Sequence, residues 1–424
     1  MCALPNSNNQ QDPSLPADRL QRDNPGDRSA ASSNTGTRAS NQMMSAPYSS
    51  PTIIQCTGKA FPPRLSGHRV VCTDQCLYSF GGYAPQDIGE TRLVTELWRF
   101  HFFRKAWTKV PLKGDVPKEV ASSAATLLNN KILLLVGGTG IPFGQIRSRD
   151  VYACCLDDID KDGAVTWVRW KTYGEIPEGL YGQAITVHGD YLYAVGGTDG
   201  QVYSIDVHRL DLRTRQWQRL SDDLNEDSIP ARYRHEIAIY DDKIYVFGGG
   251  TPSFVYGFSE MPTFDLKTLK WSYQQTEPYL GFDNTEGPER PLPRRCHSAV
   301  QQACGEWVVV TGGVDERNQT FDDVWKLHLP TLRWHRLNCT LPKRVYFHSA
   351  AITATGCMYV FGGVVENGEF RTNDLCAMNV DVPTLQELAI ETAVRTLPGL
   401  KLSYGKQLNE LHIPPLLQKK FLAH

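Results

Sequence analysis

A glycine doublet at the end of a short apolar run recurs six times and governs what this chain can become. Gly81-Gly82 follows Cys76–Phe80, and further doublets stand at Gly137-Gly138, Gly196-Gly197, Gly248-Gly249, Gly312-Gly313 and Gly362-Gly363. Subtracting successive first positions gives intervals of 56, 59, 52, 64 and 50 residues. Such a period belongs to propellers and solenoids. One repeat cannot bury its own core, so the six must fold as an array.

Each repeat obeys one grammar. A Pro-rich turn with a basic residue leads into a small-residue strand, as in Pro293-Arg294-Arg295-Cys296-His297-Ser298-Ala299. A polar turn and an apolar strand ending in the doublet follow, then a variable loop and a third strand such as Asp323–Leu327. A fourth strand opens on tryptophan: Trp107, Trp167 or Trp170, Trp217, Trp271 and Trp334. The pattern predicts four short strands per repeat, with turn residues between them. Paired glycines suit a close backbone approach that a Cβ would block, and tryptophan fills a wedge between neighbouring sheets.

Six doublets, five of them followed by a tryptophan strand, resemble the kelch family of β-propellers over about residues 53–380. The expected fold is all-β: a six-bladed propeller over 51–381, a disordered N-terminal segment over 1–50 and a short helical tail over 382–424. The sixth repeat has no tryptophan strand, so Ile53–Thr57 is expected to supply its outer strand and remove the open edges. The alternative is a three-stranded sixth blade.

In a four-strand meander, turns before the first strand and loops after the doublet share one face. That face collects Arg64, Lys118, Arg147, Arg149, Arg232, Arg234, Arg294, Arg295, Arg317, Lys343, Arg344 and Arg371, with aromatics that include Tyr181 and Tyr346. The turns expected on the other face carry Asp74, Asp190, Asp241-Asp242 and Glu306. A basic, aromatic-lined mouth predicts an anionic ligand held by arginine forks. The same arginines can instead tie down carbonyls around the channel. His235, His297 and His348 recur at one place in their repeats, which predicts a structural hydrogen-bonding role.

Bulk properties narrow the classes. A formal net charge of -2 excludes a globally basic nucleic-acid binder. No apolar run reaches the roughly 18–20 residues of a membrane span, and the N-terminus lacks a secretory pattern. Eleven scattered cysteines, Cys154-Cys155 among them, show neither a disulfide framework nor zinc spacing. Reduced cysteine in a cytoplasmic or nuclear protein is the expectation. Polar residues 1–50 lack the apolar surface to offset their ordering entropy.

After the repeats the chain changes character. Thr384-Leu385-Gln386-Glu387 reads as a capping box. Leu385, Leu388, Ala389, Thr392 and Ala393 recur at helical spacing, and Pro398-Gly399 ends the helix. An amphipathic piece then leads through Ile413-Pro414 and Leu417 to Phe421. Short helices with apolar faces either meet a partner or pack on the propeller rim.

Thr384-Leu385-x-x-x-Ala389-x-x-x-Ala393 resembles the elongin-binding BC box, with Ala389 where Cys often stands. Ile413-Pro414-x-x-Leu417-x-x-x-Phe421 resembles the cullin-2 box. The cullin-5 version carries a second Pro where Leu416 stands here, although Phe421-Leu422 echoes its Tyr-Leu ending. Propeller plus tail is similar to the kelch-domain-containing substrate receptors of cullin-2 ubiquitin ligases. The resemblance implies a non-catalytic receptor whose partners are elongin B/C, cullin-2 and the C-terminal tails of target proteins, with arginines holding the terminal carboxylate and no cofactor or metal. Arg371-Thr372-Asn373-Asp374-Leu375, and more loosely Arg147-Ser148-Arg149-Asp150-Val151, match the arginine-bearing loop of those receptors. Two other readings stand beside it. One is a kelch scaffold, such as an actin-binding or signalling adaptor. The other is a propeller enzyme, for which the chain has no phosphate loop, nucleophile elbow or evident ligand constellation.

Overall fold

Apolar runs bounded by turns become the second strand of each sheet, since a strand buried on both faces needs a continuous apolar sequence. In the computed structural model, which describes residues 50–85, 91–221, 229–279, 288–365, 368 and 370–381, Cys76–Phe80 is buried along its whole length. It pairs antiparallel with Arg69–Cys72 on one side and Leu97–His101 on the other, and Ala106–Val110 adds the outer strand. The later repeats make the same sheet, and the inner strands touch in ring order until the sixth lies beside the first. The result is a six-bladed propeller. Between inner and second strands the chain reverses at pairs such as Asn129-Asn130 and Asp241-Asp242, all four at positive φ. That is the geometry of a tight hairpin turn.

Two blades are larger than the sequence grammar predicts. Leu112–Gly114 pairs parallel with Val165–Trp170, and Tyr173–Gly174 pairs parallel with Gln216–Arg219. The linker leaving one blade thus adds a fifth strand to the next, covering an edge that would otherwise be open.

The core is divided among six clusters, each shared by two adjacent blades. Tryptophan of the outer strand supplies the bulk. Trp167 packs on Phe80 at 4.8 Å, Trp107 on Phe361 at 4.9 Å and Trp334 on Phe258 at 5.6 Å. In the second blade Trp167 is the buried one and Trp170 lies nearer the surface.

Closure uses the N-terminal end of the propeller. Thr52 and Ile53 pair antiparallel with Ala377 and Cys376, and the Ile54 N–H donates to the Leu375 carbonyl at 2.8 Å. The closing strand lies earlier than Ile53–Thr57. By Thr57 the chain has already crossed to blade one, where its N–H donates to Lys105 O at 2.9 Å. One short segment therefore joins the last blade to the first.

Around the channel runs a continuous ring of backbone hydrogen bonds. The N–H of Ser122 donates to Gly67 O, Gly182 to Ser122 O, Arg234 to Gly182 O, Cys296 to Arg234 O, Phe347 to Cys296 O and Gly67 to Phe347 O, at 2.7 to 3.1 Å. All six residues hold φ between 53° and 67°. Four of them are not glycine, and only a satisfied, repeated arrangement sustains the left-handed conformation there.

The doublets build a second inter-blade set. The second glycine of each donates its N–H to the next blade's lead-in turn: Gly82 to Val120 O, Gly138 to Leu180 O, Gly197 to Arg232 O, Gly249 to Arg294 O, Gly313 to Val345 O and Gly363 to Leu65 O, at 2.8 to 3.0 Å. A Cβ on Gly81 would stand 2.7 Å from Val120 O, and one on Gly362 would stand 2.6 Å from the His68 ring, both at positive φ. His68 and His235 complete the clasp, whereas the ring nitrogens of His297 and His348 at the same place make no such bond. His68 Nε2 donates to Phe361 O and His235 Nε2 to Val195 O, each at 3.1 Å, and in blade three Gln183 Nε2 makes the equivalent bond to Val136 O.

Two expectations follow. Ile54→Pro removes a closing bond and should lower stability by about 1–3 kcal/mol while unfolding stays a single transition by fluorescence in denaturant. Burial pushes the pKa of His68, His235 and His348 down to about 3, against an ordinary value near 6.5. The unfolded chain therefore takes up protons first, so stability is full above pH 6.5 and falls as pH drops from there toward 3. At pH 5 each such histidine should cost about 2 kcal/mol relative to neutral pH. His68→Gln, which reproduces the side chain that blade three carries at Gln183, should remove one share of that loss in denaturant midpoints measured across pH.

Candidate functional site: the basic mouth of the channel

Lead-in turns and post-doublet loops meet on one face through a repeated bridge. Ser66 lies against Tyr83, Ala121 against Thr139, Tyr181 against Thr198, Tyr233 against Gly250, Arg295 against Val314 and Tyr346 against Val364. These six pairs rim the channel immediately outside the hydrogen-bonded ring. What each side chain does depends on which way its residue points from that ring.

Arg232 and Arg294, grouped by sequence with the surface cations, point into the fold. They are 1% and 0% exposed. Arg232 donates to Pro230 O and Gly248 O at 3.1 Å each, with its guanidinium over the Tyr256 ring at 3.9 Å. Arg294 donates to Leu292 O at 2.9 Å and Gly312 O at 3.1 Å, and forks onto Asp323 at 2.5 and 2.8 Å. Both tie the lead-in turn to the glycine doublet of the same blade, and neither presents a charge to a ligand. Burial pushes the Asp323 carboxyl up, but hydrogen bonds and charge from Arg294 outweigh it and hold the pKa below its ordinary value.

Arg234 goes the other way, into the channel. It belongs to blade four, yet it donates from Nη2 to Ser122 Oγ of blade two and lies over the Phe347 ring of blade six at 4.5 Å. To reach both it crosses the channel at the level of the ring. Its buried Nε–H has no hydrogen-bond partner. Burial lowers its pKa, but a guanidinium starts high enough to remain charged.

Two residues deeper, Arg69 of blade one reaches to Glu236 of the opposite blade at 2.7 Å and donates to Ser123 O at 2.9 Å. This strut was not among the sequence candidates. Its signal was present in register: Arg69 and Glu236 each follow the recurring histidine, in His68-Arg69 and His235-Glu236. Together the three groups fill the channel with two cations and one anion.

The rim carries the other candidates at varied depths. Arg371 lies over the Tyr83 ring at 4.6 Å and donates from Nε to Ser66 Oγ at 3.1 Å. In the same loop Asn373 donates to Pro62 O, and Asp374 pairs with Lys343 at 2.7 Å. Arg295 is turned onto the Thr251 and Pro252 carbonyls. Arg147 donates to Asp199 O at 2.7 Å, with the Asp199 carboxylate 3.5 Å away. Arg149 is exposed, and Arg344 is exposed with Asp322 3.6 Å away. Tyr181 packs edge-on to Tyr233 at 6.5 Å, and Tyr346 tilts against Phe347 at 5.2 Å. Exposed Phe143 stands 5.3 Å from Tyr83, and Phe254 4.9 Å from Tyr256. The mouth is thus a basic surface with aromatic side chains set among the arginines, suited to an anion with an apolar neighbour.

The opposite face is partly self-neutralised. Asp242 pairs with Lys267 and His188 at 3.0 Å each, and Asp190 with Arg213 at 2.6 Å. Among the described residues no three His, Cys, Asp or Glu side chains converge on a metal position. The tail positions Thr384, Leu385, Leu388, Ala389, Ala393, Ile413, Pro414, Leu417 and Phe421, and the N-terminal segment 1–49, lie outside the described residues.

Adjacent arginines with opposite orientations give a direct contrast. Arg294→Ala leaves Asp323 without its cation and should cost about 3–5 kcal/mol. Arg295→Ala should stay within about 1 kcal/mol of the parent. Chemical denaturation of both variants checks the assignment.

Known proteins agree with the architecture. The family described as the KLHDC2/KLHL20/DRC7 Kelch-repeats domain matches residues 67–285, and the Attractin/LZTR1 beta-propeller matches 192–398. Kelch domain-containing protein 10 of Homo sapiens is 40% identical over 353 residues, covering 80% of this chain and 75% of the relative. The Drosophila melanogaster homolog is 38% identical over 376 residues, covering 84% of this chain and 61% of the relative. Kelch domain-containing protein 3 of Homo sapiens is 27% identical over 295 residues, covering 65% of this chain and 71% of the relative. With six kelch blades described and that extent of identity, the chain belongs to the kelch-repeat β-propeller family, in the group that contains Kelch domain-containing protein 10.

Proposed function

We propose that this protein is a non-catalytic substrate receptor of a cullin-RING ubiquitin ligase. Its basic mouth takes the C-terminal tails of target proteins, and segment 382–424 joins elongin B/C and cullin-2. The observation that carries the reading is Arg234. A guanidinium held across the channel by Ser122 and the Phe347 ring is a fixed cation for one carboxylate. Arg371 and Arg295 stand on the surrounding rim, and Arg69 adds positive potential beneath. Arg234 and the Arg69–Glu236 pair lie across the channel, which favours a chain end over a threaded internal segment. The tail's resemblance to BC and cullin boxes supports the ligase half of the proposal.

Two measurements test the two halves. Peptides ending in a free carboxylate should bind more tightly than their C-terminal amides by about 1.5–3 kcal/mol, and Arg234→Met should erase that difference. Equal binding of acid and amide would show that the ligand is an internal motif. Leu385→Ser and Ala393→Asp should abolish elongin B/C capture with the propeller still folded, and Ile413→Ala with Pro414→Ala should weaken cullin-2 more than elongin. Capture that survives Leu385→Ser and Ala393→Asp would remove the BC-box assignment.

A further inference from the structure

A lysine is almost never fully buried unless its charge is matched. Lys326, on the third strand of blade five (Asp323–His328), is 4% exposed and takes no part in the basic mouth. Its Nζ donates to Val380 O at 3.0 Å and to Asp381 Oδ1 at 2.7 Å, and stands over the Trp307 ring at 4.6 Å. Gln302 Nε2 donates to the other carboxylate oxygen of Asp381 at 2.5 Å. From blade six itself, the Val380 N–H donates to Gly356 O at 3.0 Å. Gly356, at φ 84°, leaves room for the carboxylate, since a Cβ there would stand 2.9 Å from Asp381 Oδ2.

Val380 and Asp381 end the last blade, and the chain beyond them is the segment read above as the ligase-binding tail. Two residues are therefore gripped by side chains of a neighbouring blade and by the backbone of their own. A strand end held by one ladder bond is free to fray. An ammonium on the carbonyl and both carboxylate oxygens occupied remove the rotations that remain. An ion pair between a buried ammonium and a half-exposed carboxylate adds little net stability. Its distinct property is direction, because it is satisfied in one geometry only. We propose that Lys326, with Gln302, is a positioning pair that fixes the direction in which the chain leaves the propeller, and so sets the ligase-binding segment relative to the basic mouth. The joint stands on the contacts named here, and its consequence for ubiquitin transfer rests on the receptor reading.

The test uses the full chain with Lys326→Met and, as a second variant at a half-exposed position, Asp381→Asn. Hydrogen exchange of the Val380 amide should quicken about tenfold in both, with the inner strands of blades one to five unchanged. In the ligase reconstituted with elongin B/C and cullin-2, elongin capture and tail-peptide affinity should stay within about twofold, while ubiquitin transfer to a tail-bearing substrate should fall about three- to tenfold. A merely structural role would move capture or affinity together with transfer. Unchanged exchange in both variants overturns the joint, and full transfer despite faster exchange overturns its consequence. Failure of the unmodified chain to capture elongin would overturn the receptor reading alone, and exchange would still decide the joint.

Discussion

Six backbone hydrogen bonds, one per blade, close on themselves around the channel, and the rest of the molecule depends on that closure. Each blade contributes one residue in the left-handed region, and the residue after it turns its side chain between two blades. That following position is His68, Ser123, Gln183, His235, His297 or His348. Four histidines there are held neutral by burial, because a charge between two sheets would have no water and no counterion. The glycine doublets follow from the same constraint. Backbone from one blade must approach the next closely enough to hydrogen-bond, and a Cβ stands in the way. A two-residue strand from the N-terminal side joins the last blade to the chain that enters the first.

The ring also decides what the arginines do. Two residues before it, Arg232 and Arg294 face inward and fasten carbonyls, and their charge is consumed by the fold. Within it, Arg234 has no room inside the blade and must lie across the channel. Two residues after it, Arg69 meets Glu236 from the far side. Alternation along three or four residues thus separates architectural cations from one available to a ligand, although all are arginines in similar turns. The mouth acquires its positive potential from residues that the fold leaves over.

Much of this was legible from residue types alone. The doublets, the tryptophan strands and the missing outer strand of blade six follow from periodicity, and periodicity survives any detail of packing. The fifth strands were not legible, because Leu112–Gly114 and Tyr173–Gly174 read as linkers until the neighbouring edge is in place to pair with them. Arg294 and Arg295 show the same limit for the site. They are consecutive, alike and in one turn, yet one is fully buried on Asp323 and Gly312 and its neighbour rests on the Thr251 and Pro252 carbonyls. Lys326 reads as one more surface lysine at the end of Asp323-Val324-Trp325, and only contact with Val380 and Asp381 gives it a role.

By itself, then, the sequence determined the repeat, the blade count and the face on which basic loops gather, since these depend on spacing and on strand alternation. Tertiary structure decided which cations remain free. The reason is geometric: a guanidinium's availability depends on whether a carbonyl distant in sequence lies within hydrogen-bonding distance. Such carbonyls are brought together across 54 residues for Arg69 and Ser123, and 18 for Arg294 and Gly312. No local pattern encodes those distances. They exist only once the ring is closed.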